Sequence, residues 1–336
     1  MTTHATRELT RSRATFPVDG AAEVQTMTLR DGRTLAFDDI GDRDGFPVMY
    51  NPGYLNSRLA RPPDDAPVAE AGLRVICLDR PGYGGSSPQA YRTLWGWSAD
   101  VEQLADHLGI GRFAVLGWSN GGPHALAIAR YLDDRVTHGV LVASSAAWVD
   151  HPQAVRSVHW ILRAPWRLRH LPALQKALPA VMARQAHTDI DALVASWETP
   201  NARNPLSQSD CDVLREPAVH RQWVANMAEV FRQGPVGAIP DYMAPDRTER
   251  FRVQDVGQHM DLFHGDCDIA VKPIASRILV NLLPDADLHV IPGAGHLCIL
   301  TSWEQILSAL ADRAPAPTTK HRNATRAARS PAPVAR

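Results

Sequence analysis

The fold is decided by the stretch Val115-Leu116-Gly117-Trp118-Ser119-Asn120-Gly121-Gly122. Before its serine, residues 113–116 form an apolar run that predicts a buried strand, and a helical pattern follows over residues 123–132. A sharp turn from strand to helix lifts Ser119 above the sheet, and Gly117 and Gly121 let neighbouring backbones come close. The following helix points its free N–H groups and positive dipole end at the serine, where an oxyanion is stabilised. The stretch therefore predicts a nucleophilic serine.

Strand and helix patterns alternate on both sides of this turn. Strands are predicted at residues 24–29, 34–40, 47–50, 74–78, 136–144, 260–264 and 287–291. Helices are predicted at residues 66–71, at 98–108 with Ser98 as the N-cap, at 272–283 and at 302–312. This alternation predicts an α/β fold with a mostly parallel, doubly wound sheet and helices on both faces. Ligands of such sheets bind at the carboxyl ends of the strands.

The pattern changes between residues 148 and 252, where no strand-like run occurs and prolines separate several helical stretches. This segment is either a separate helical domain or a cap inserted over the sheet, and the return of strands after it favours a cap. The predicted division is a core over residues 21–147 and 253–313 with a helical cap over residues 148–252. Polar residues 1–20 are expected to be a disordered lead, and residues 314–336 a disordered tail.

Composition limits the classes of function. The formal net charge of −1 over 336 residues gives no electrostatic reason to expect nucleic acid or an anionic membrane as a partner. No apolar run approaches the length of a membrane helix, and residues 1–19 lack the apolar core of a secretory signal. The four cysteines show no metal-ligand spacing and are expected to be free thiols in the cytoplasm. We therefore expect a small-molecule substrate and neither a cofactor nor a metal, and the oligomeric state stays open.

A nucleophilic serine needs a base, usually a histidine held in one tautomer by a carboxylate. His296 follows the last predicted strand on a Gly-Ala-Gly turn, at the same edge of the sheet as Ser119. The competing histidines lie inside strands, on the helix after the serine, in the predicted cap or in the tail: His264, His289, His124, His151, His159, His170, His187, His220 and His321. Asp266 and Asp268 both follow the strand at residues 260–264, and either carboxylate could be the partner of the histidine.

Four segments together resemble the α/β-hydrolase fold superfamily: residues 117–122, residues 79–86 (Asp-Arg-Pro-Gly-Tyr-Gly-Gly-Ser), residues 264–268 (His-Gly-Asp-Cys-Asp) and residues 293–296 (Gly-Ala-Gly-His). The order serine, aspartate, histidine is also that of the family, and the resemblance covers residues 23–312. It implies Asp268 as the acid, with Asp266 as the alternative. It also implies an oxyanion hole formed by the backbone N–H groups of Asn120 and Tyr54, where Pro52-Gly53 replaces the His-Gly common in the family.

The function expected from this resemblance is that of a serine hydrolase that works through a seryl acyl-enzyme. Its substrate is expected to be a carboxylic ester, thioester or lactone with a bulky apolar part, contacted by Trp118, Trp148 and Trp223. The same triad also serves C–C bond hydrolases, perhydrolases and tailoring enzymes that cyclise or decarboxylate natural products. A ligand receptor that retains the triad without turnover is a further alternative.

Overall fold

The computed structural model describes residues 24–201, 203–247 and 251–315, without the side chains of residues 246 and 247. The predicted lead over residues 1–20 lies outside the described residues, and the predicted tail shares only Ala314 and Pro315 with them. Among the described helices, none combines the length and the apolar character needed to cross a bilayer.

In the described part of the chain, eight strands form one sheet in the order β1-β2-β4-β3-β5-β6-β7-β8. Strand β2 is antiparallel to both of its neighbours, β1 and β4. The remaining neighbours, in the order β4-β3-β5-β6-β7-β8, are parallel to one another. The predicted doubly wound α/β sheet is therefore confirmed. The strands span Gln25–Thr28 (β1), Thr34–Gly41 (β2), Phe46–Asn51 (β3), Leu73–Leu78 (β4), Phe113–Trp118 (β5), Val136–Val142 (β6), His259–Gly265 (β7) and Ala286–Ile291 (β8).

Helices cover both faces of the sheet because the central strands are apolar on both sides. In β5, Phe113 and Val115 belong to one buried cluster, whereas Ala114 and Leu116 belong to the cluster on the opposite face. Outside the segment between β6 and β7, the helices are Ala66–Glu70 (α1), Leu94–His107 (α2), Gly121–Tyr131 (α3), Ile274–Leu282 (α10), Cys298–Thr301 (α11) and Trp303–Asp312 (α12).

Helix α2 begins one turn earlier than predicted. The side chain of Thr93 accepts a hydrogen bond from the backbone N–H of Gly96 at 3.0 Å, so Thr93 is the N-cap. Ser98 lies inside the helix and donates its hydroxyl hydrogen to the carbonyl of Leu94 at 3.0 Å. The prediction that Ser98 caps the helix is wrong because the preceding turn, with the buried side chains of Leu94 and Trp97, is itself helical.

The described residues between β6 and β7 hold six α-helices: Ala164–Arg167 (α4), Pro172–Thr188 (α5), Ile190–Ala195 (α6), Gln208–Arg215 (α7), Pro217–Val230 (α8) and Ala238–Arg247 (α9). In its described part, the β-pairing is limited to a single bridge between Val158 and Val271. We call residues 148–252 the insert. Its status as a cap domain stays a prediction at this point.

Candidate active site

The turn between β5 and α3 holds Ser119 in a strained conformation. Its φ of 54° lies in the left-handed region, which residues with a side chain rarely adopt. The glycines around it are required by packing. A Cβ on Gly121 would lie 2.0 Å from the carbonyl oxygen of Asn51, and one on Gly117 would lie 2.8 Å from the Cβ of Ala125. Close packing of β3, β5 and α3 thus fixes the turn that presents the serine.

His296 connects the serine to a carboxylate. Its Nε2 lies 2.9 Å from Oγ of Ser119, and its Nδ1 lies 2.8 Å from Oδ2 of Asp268. The indole N–H of Trp118 donates to the backbone carbonyl of His296 at 3.1 Å. The imidazole is therefore placed to accept the serine proton at one nitrogen, while the carboxylate selects the tautomer at the other.

The structure separates the two candidate acids. Asp268 is buried, and its second oxygen accepts the backbone N–H of Val271 at 2.9 Å. Asp266 is exposed and accepts the backbone N–H of Gly293 at 2.7 Å, which stabilises the turn before His296. Of the two aspartates left open by the residues alone, the structure brings Asp268 to the histidine and leaves Asp266 in the loop.

Opposing effects act on the pKa values of this pair. Burial raises the pKa of Asp268, but the adjacent His296 and the hydrogen bonds from His264 and His296 outweigh burial and hold that pKa at about 2. Burial lowers the pKa of His296, but the charge and hydrogen bond of Asp268, followed by the charge of Asp210, raise it above its ordinary value. Asp268 is therefore ionised at neutral pH, and the imidazolium form of His296 is stabilised.

Asp210 brings the insert into contact with the histidine turn. Its Oδ1 accepts the backbone N–H of Leu297 at 2.7 Å, and its Oδ2 accepts the N–H and the hydroxyl of Ser207 at 2.9 and 2.7 Å. A Cβ on Gly295 would lie 2.2 Å from the same carboxylate. Sequence reasoning missed this residue. The Ser-x-x-Asp spacing of Ser207 and Asp210 signals a helix start, but it does not reveal the contact with Leu297.

Two backbone N–H groups beside Ser119 are available to a ligand. Among the described residues, neither the N–H of Tyr54 nor that of Asn120 donates a hydrogen bond. The loop containing Tyr54 runs against the nucleophile, since a Cβ on Gly53 would lie 3.2 Å from the Cβ of Ser119. The predicted oxyanion donors therefore flank the serine, and Asn120 also begins the helix whose dipole favours negative charge there.

A buried cluster of charges holds the Tyr54 loop from below. The guanidinium of Arg80 donates to the carbonyl of Gly53 at 2.8 Å and also to that of Pro52. Its counter-ion is Asp241 of α9, at 2.7 and 2.9 Å, and Arg92 lies 3.1 Å from the same carboxylate. Burial raises the pKa of Asp241, but the two guanidinium groups outweigh burial and hold it at about 2. The insert thus supplies the charge that keeps Arg80 in place.

A cavity of about 680 Å³ opens above the serine and is lined largely by side chains of the insert. The three tryptophans predicted to bind substrate, Trp118, Trp148 and Trp223, all lie in its wall and are nearly fully buried. Trp166 and Trp197 also line the cavity, although the sequence singled out neither of them as a substrate contact. The wall is mainly aromatic and aliphatic, with His296 and Ser119 among its polar groups. Such a cavity accommodates a bulky apolar ligand.

One group of potential metal ligands lies outside this cavity. Donor atoms of His259, Asp261 and Asp287 lie within 4.8 Å of one another on β7 and β8. The carboxylate of Asp261 already accepts hydrogen bonds from His289 and Arg313, each at 2.8 Å. Arg313 also lies 3.5 Å from Asp287, so these residues take part in an ion-pair network of the sheet.

Comparison with known proteins agrees with the architecture. A family model described as the alpha/beta hydrolase fold matches residues 47–302. Over 239 residues the chain is 29% identical to the pimeloyl-[acyl-carrier protein] methyl ester esterase of Aromatoleum aromaticum, covering 71% of this chain and 86% of the relative. It is 33% identical to the proline iminopeptidase of Xanthomonas citri over 124 residues, which cover 35% of this chain and 38% of that one.

Among solved structures, the enol-lactonase from Burkholderia xenovorans LB400 superposes with a TM-score of 0.62 at 19% identity, covering 86% of this chain and 99% of that one. At this identity the likeness concerns the fold. The family match spans the turn of Ser119, the loop of Asp268 and the turn of His296. The chain therefore belongs to the α/β-hydrolase fold family.

Proposed function

We propose that this protein is a serine hydrolase that cleaves a carboxylic ester, thioester or lactone through a seryl acyl-enzyme. The observation that carries the proposal is the continuous chain of hydrogen bonds from Ser119 Oγ through His296 to Asp268, at 2.9 and 2.8 Å. It starts at a strained serine and ends at a buried carboxylate, and it faces a ligand-sized cavity. These are the requirements for activating a hydroxyl nucleophile.

In the proposed reaction, Ser119 Oγ attacks the carbonyl carbon of the substrate while His296 Nε2 takes the hydroxyl proton. The oxyanion of the tetrahedral intermediate accepts hydrogen bonds from the backbone N–H groups of Tyr54 and Asn120. The bond to the leaving alcohol or thiol then breaks, and His296 returns the proton to that group. Water attacks the seryl ester by the same route, which releases the acid and restores the serine. Asp268 holds the imidazole in the required tautomer throughout.

The cavity supports a substrate with a bulky apolar part, and the insert acts in this proposal as the cap that encloses it. Trp118, Trp148 and Trp223 provide rigid aromatic walls beside the reacting serine. The names of two relatives, a methyl ester esterase and an enol-lactonase, also support ester or lactone cleavage. Four free cysteines support a reducing compartment such as the cytoplasm.

The proposal is tested with a series of p-nitrophenyl esters of increasing acyl length, using the wild-type chain and Ser119→Ala. We expect many products per chain, a preference for long or branched acyl groups, and almost complete loss of turnover in the variant. Release of no more than one product per chain would instead indicate a ligand receptor that retains the triad. Cleavage of a C–C substrate, or formation of a peracid from a carboxylic acid and hydrogen peroxide with release of water, without hydrolysis of any ester would reassign the reaction to one of those chemistries.

A further inference from the structure

Positive charge is concentrated in one segment of the insert. Residues 151–188 contain six lysine and arginine residues and no aspartate or glutamate, in a chain whose formal net charge is −1. None of these six side chains forms an ion pair with a described carboxylate, and all except the half-buried Arg163 are exposed: Arg156, Arg163, Arg167, Arg169, Lys176 and Arg184. The segment therefore presents cations that no described carboxylate neutralises in an ion pair.

Exposed apolar side chains are concentrated in the same segment. Of the twelve large apolar side chains exposed among the described residues, seven lie in it: Val155, Trp160, Trp166, Leu171, Leu174, Leu178 and Val181. Leu174, Leu178 and Val181 follow one another at helical spacings of four and three residues along α5, so they share a face of the helix. Their exposed fractions are 55%, 47% and 62%. Lys176 lies on the opposite side of α5 from this row. We call these seven side chains and the five arginines of the segment the insert face.

The insert face is continuous with the cavity above the serine. Val155, Trp166, Leu178 and Val181 are exposed to solvent and also line that cavity. Exposed apolar side chains of α5 therefore adjoin the cavity wall. Leu171 and Leu174 are exposed but do not line the cavity, and a cavity that served only a water-soluble substrate would need no such exposed leucines beside it.

We propose that the insert face docks on an anionic lipid surface and that the apolar chain of the substrate enters the cavity from that surface. This inference rests on the proposed function, because it names the phase that supplies the ester. Helices with an aliphatic face, neighbouring tryptophans and flanking arginines bind in the interfacial layer of membranes, and their cations contact anionic headgroups. The formal net charge of −1 led us to expect no binding to an anionic membrane, and the proposal departs from that expectation. The net charge of the whole chain does not show that one segment has six cationic and no acidic residues.

An acidic protein, such as a carrier of acyl chains, is the competing occupant. Its carboxylates would neutralise the arginines, but a polar protein surface would not favour burial of the exposed aliphatic row of α5. A lipid surface satisfies both features at once, since headgroups and acyl chains lie side by side at the interface. The observations thus favour a membrane surface over a protein.

The test is flotation of the purified chain with vesicles of phosphatidylcholine alone and with vesicles of equal parts phosphatidylcholine and phosphatidylglycerol. We expect binding to the anionic vesicles at low salt and its loss at about 1 M salt, where the screening length falls to ~3 Å. The double variants Arg167→Glu/Arg184→Glu and Leu171→Ser/Leu174→Ser should each weaken binding at least about tenfold. None of these four residues lines the cavity, so hydrolysis of a short water-soluble ester should be unchanged.

Matched controls are Trp95→Ser on α2, which removes another exposed tryptophan, and Arg112→Glu, which reverses an exposed charge before β5. Both should float like the wild type. Ser119→Ala should lose ester hydrolysis and keep vesicle binding, so failure of the proposed function would show in activity alone. The inference is overturned if the wild type does not float with anionic vesicles, if both double variants float normally, or if only an acidic acyl carrier protein binds the insert face.

Discussion

The buried ion cluster beneath the Tyr54 loop yields a quantitative prediction for Asp241→Asn. In the wild type, the carboxylate of Asp241 contacts Arg80 at 2.7 and 2.9 Å and Arg92 at 3.1 Å, and all three side chains are almost fully buried. The amide removes the carboxylate charge that pairs with both of these guanidinium groups. Loss of one partner of a buried ion pair costs about 3–5 kcal/mol because an uncompensated charge stays buried. We therefore expect the free energy of unfolding to fall by about that amount.

The measurement is urea-induced unfolding at pH 7, followed by tryptophan fluorescence. Asp212→Asn is the matched control, since Asp212 pairs with Arg215 on the surface of α7 and both side chains are largely exposed. A surface pair of this kind contributes about 0–1 kcal/mol. A loss below about 1 kcal/mol for Asp241→Asn, equal to that of the control, would refute the claim that Asp241 stabilises the two arginines.

The same substitution has a second, catalytic consequence. Arg80 holds the carbonyl of Gly53 at 2.8 Å, and the next N–H, that of Tyr54, is the proposed oxyanion donor. If Arg80 moves, kcat should fall while KM changes less, because the donor acts mainly in the transition state. The pKa of Asp241 is about 2, below its ordinary 3.8. The stability from its ionisation is therefore present above pH 3.8 and is lost as the pH falls through about 2, so a result at pH 7 does not depend on small changes of pH.

Four further predictions concern the proposed catalytic groups. Ser119→Ala should stay folded by circular dichroism and lose turnover on the order of a million-fold. Asp268→Asn should lower kcat roughly ten-thousand-fold through the wrong tautomer of histidine, whereas Asp266→Asn should change it far less; the reverse order would contradict the assignment of the acid. Because the pKa of His296 is raised and acylation needs the neutral ring, kcat/KM should fall with slope one below a midpoint above 6.5; a profile flat down to pH 5 would exclude a histidine base. Trp148→Ala should reduce kcat/KM for long acyl esters more than for acetate, and an equal loss on both would contradict a substrate contact.

The sequence predicts the sheet and the serine turn well because their signals are local. Apolar runs of strand length, the glycines around Ser119 and the Gly-Ala-Gly turn before His296 are each visible within a few residues. Close packing explains why these local signals are enough to predict the turn. Gly121 faces the carbonyl of Asn51 at a distance that admits no side chain, so the residue type itself records the contact.

The contacts between the insert and the core could not be predicted in this way. Asp210 meets Leu297 across 87 positions of the chain, and Arg80 meets Asp241 across 161. An aspartate of this kind has no local pattern that distinguishes it from a helix-capping or surface residue. The choice of Asp268 over Asp266 as the acid could not be predicted from the residues for the same reason. Both carboxylates lie in one loop, and only the tertiary structure decides which of them is buried against His296.

The central claim is that Ser119 is the nucleophile of an acyl-enzyme, and covalent labelling tests it most directly. A fluorophosphonate should add one phosphonyl group per chain, which intact mass spectrometry detects and peptide mapping locates at Ser119. Labelling should be slowed strongly in His296→Ala, because the base that removes the hydroxyl proton is gone. Modification at any other residue, or a wild-type chain that remains unlabelled while it hydrolyses esters, would contradict the account.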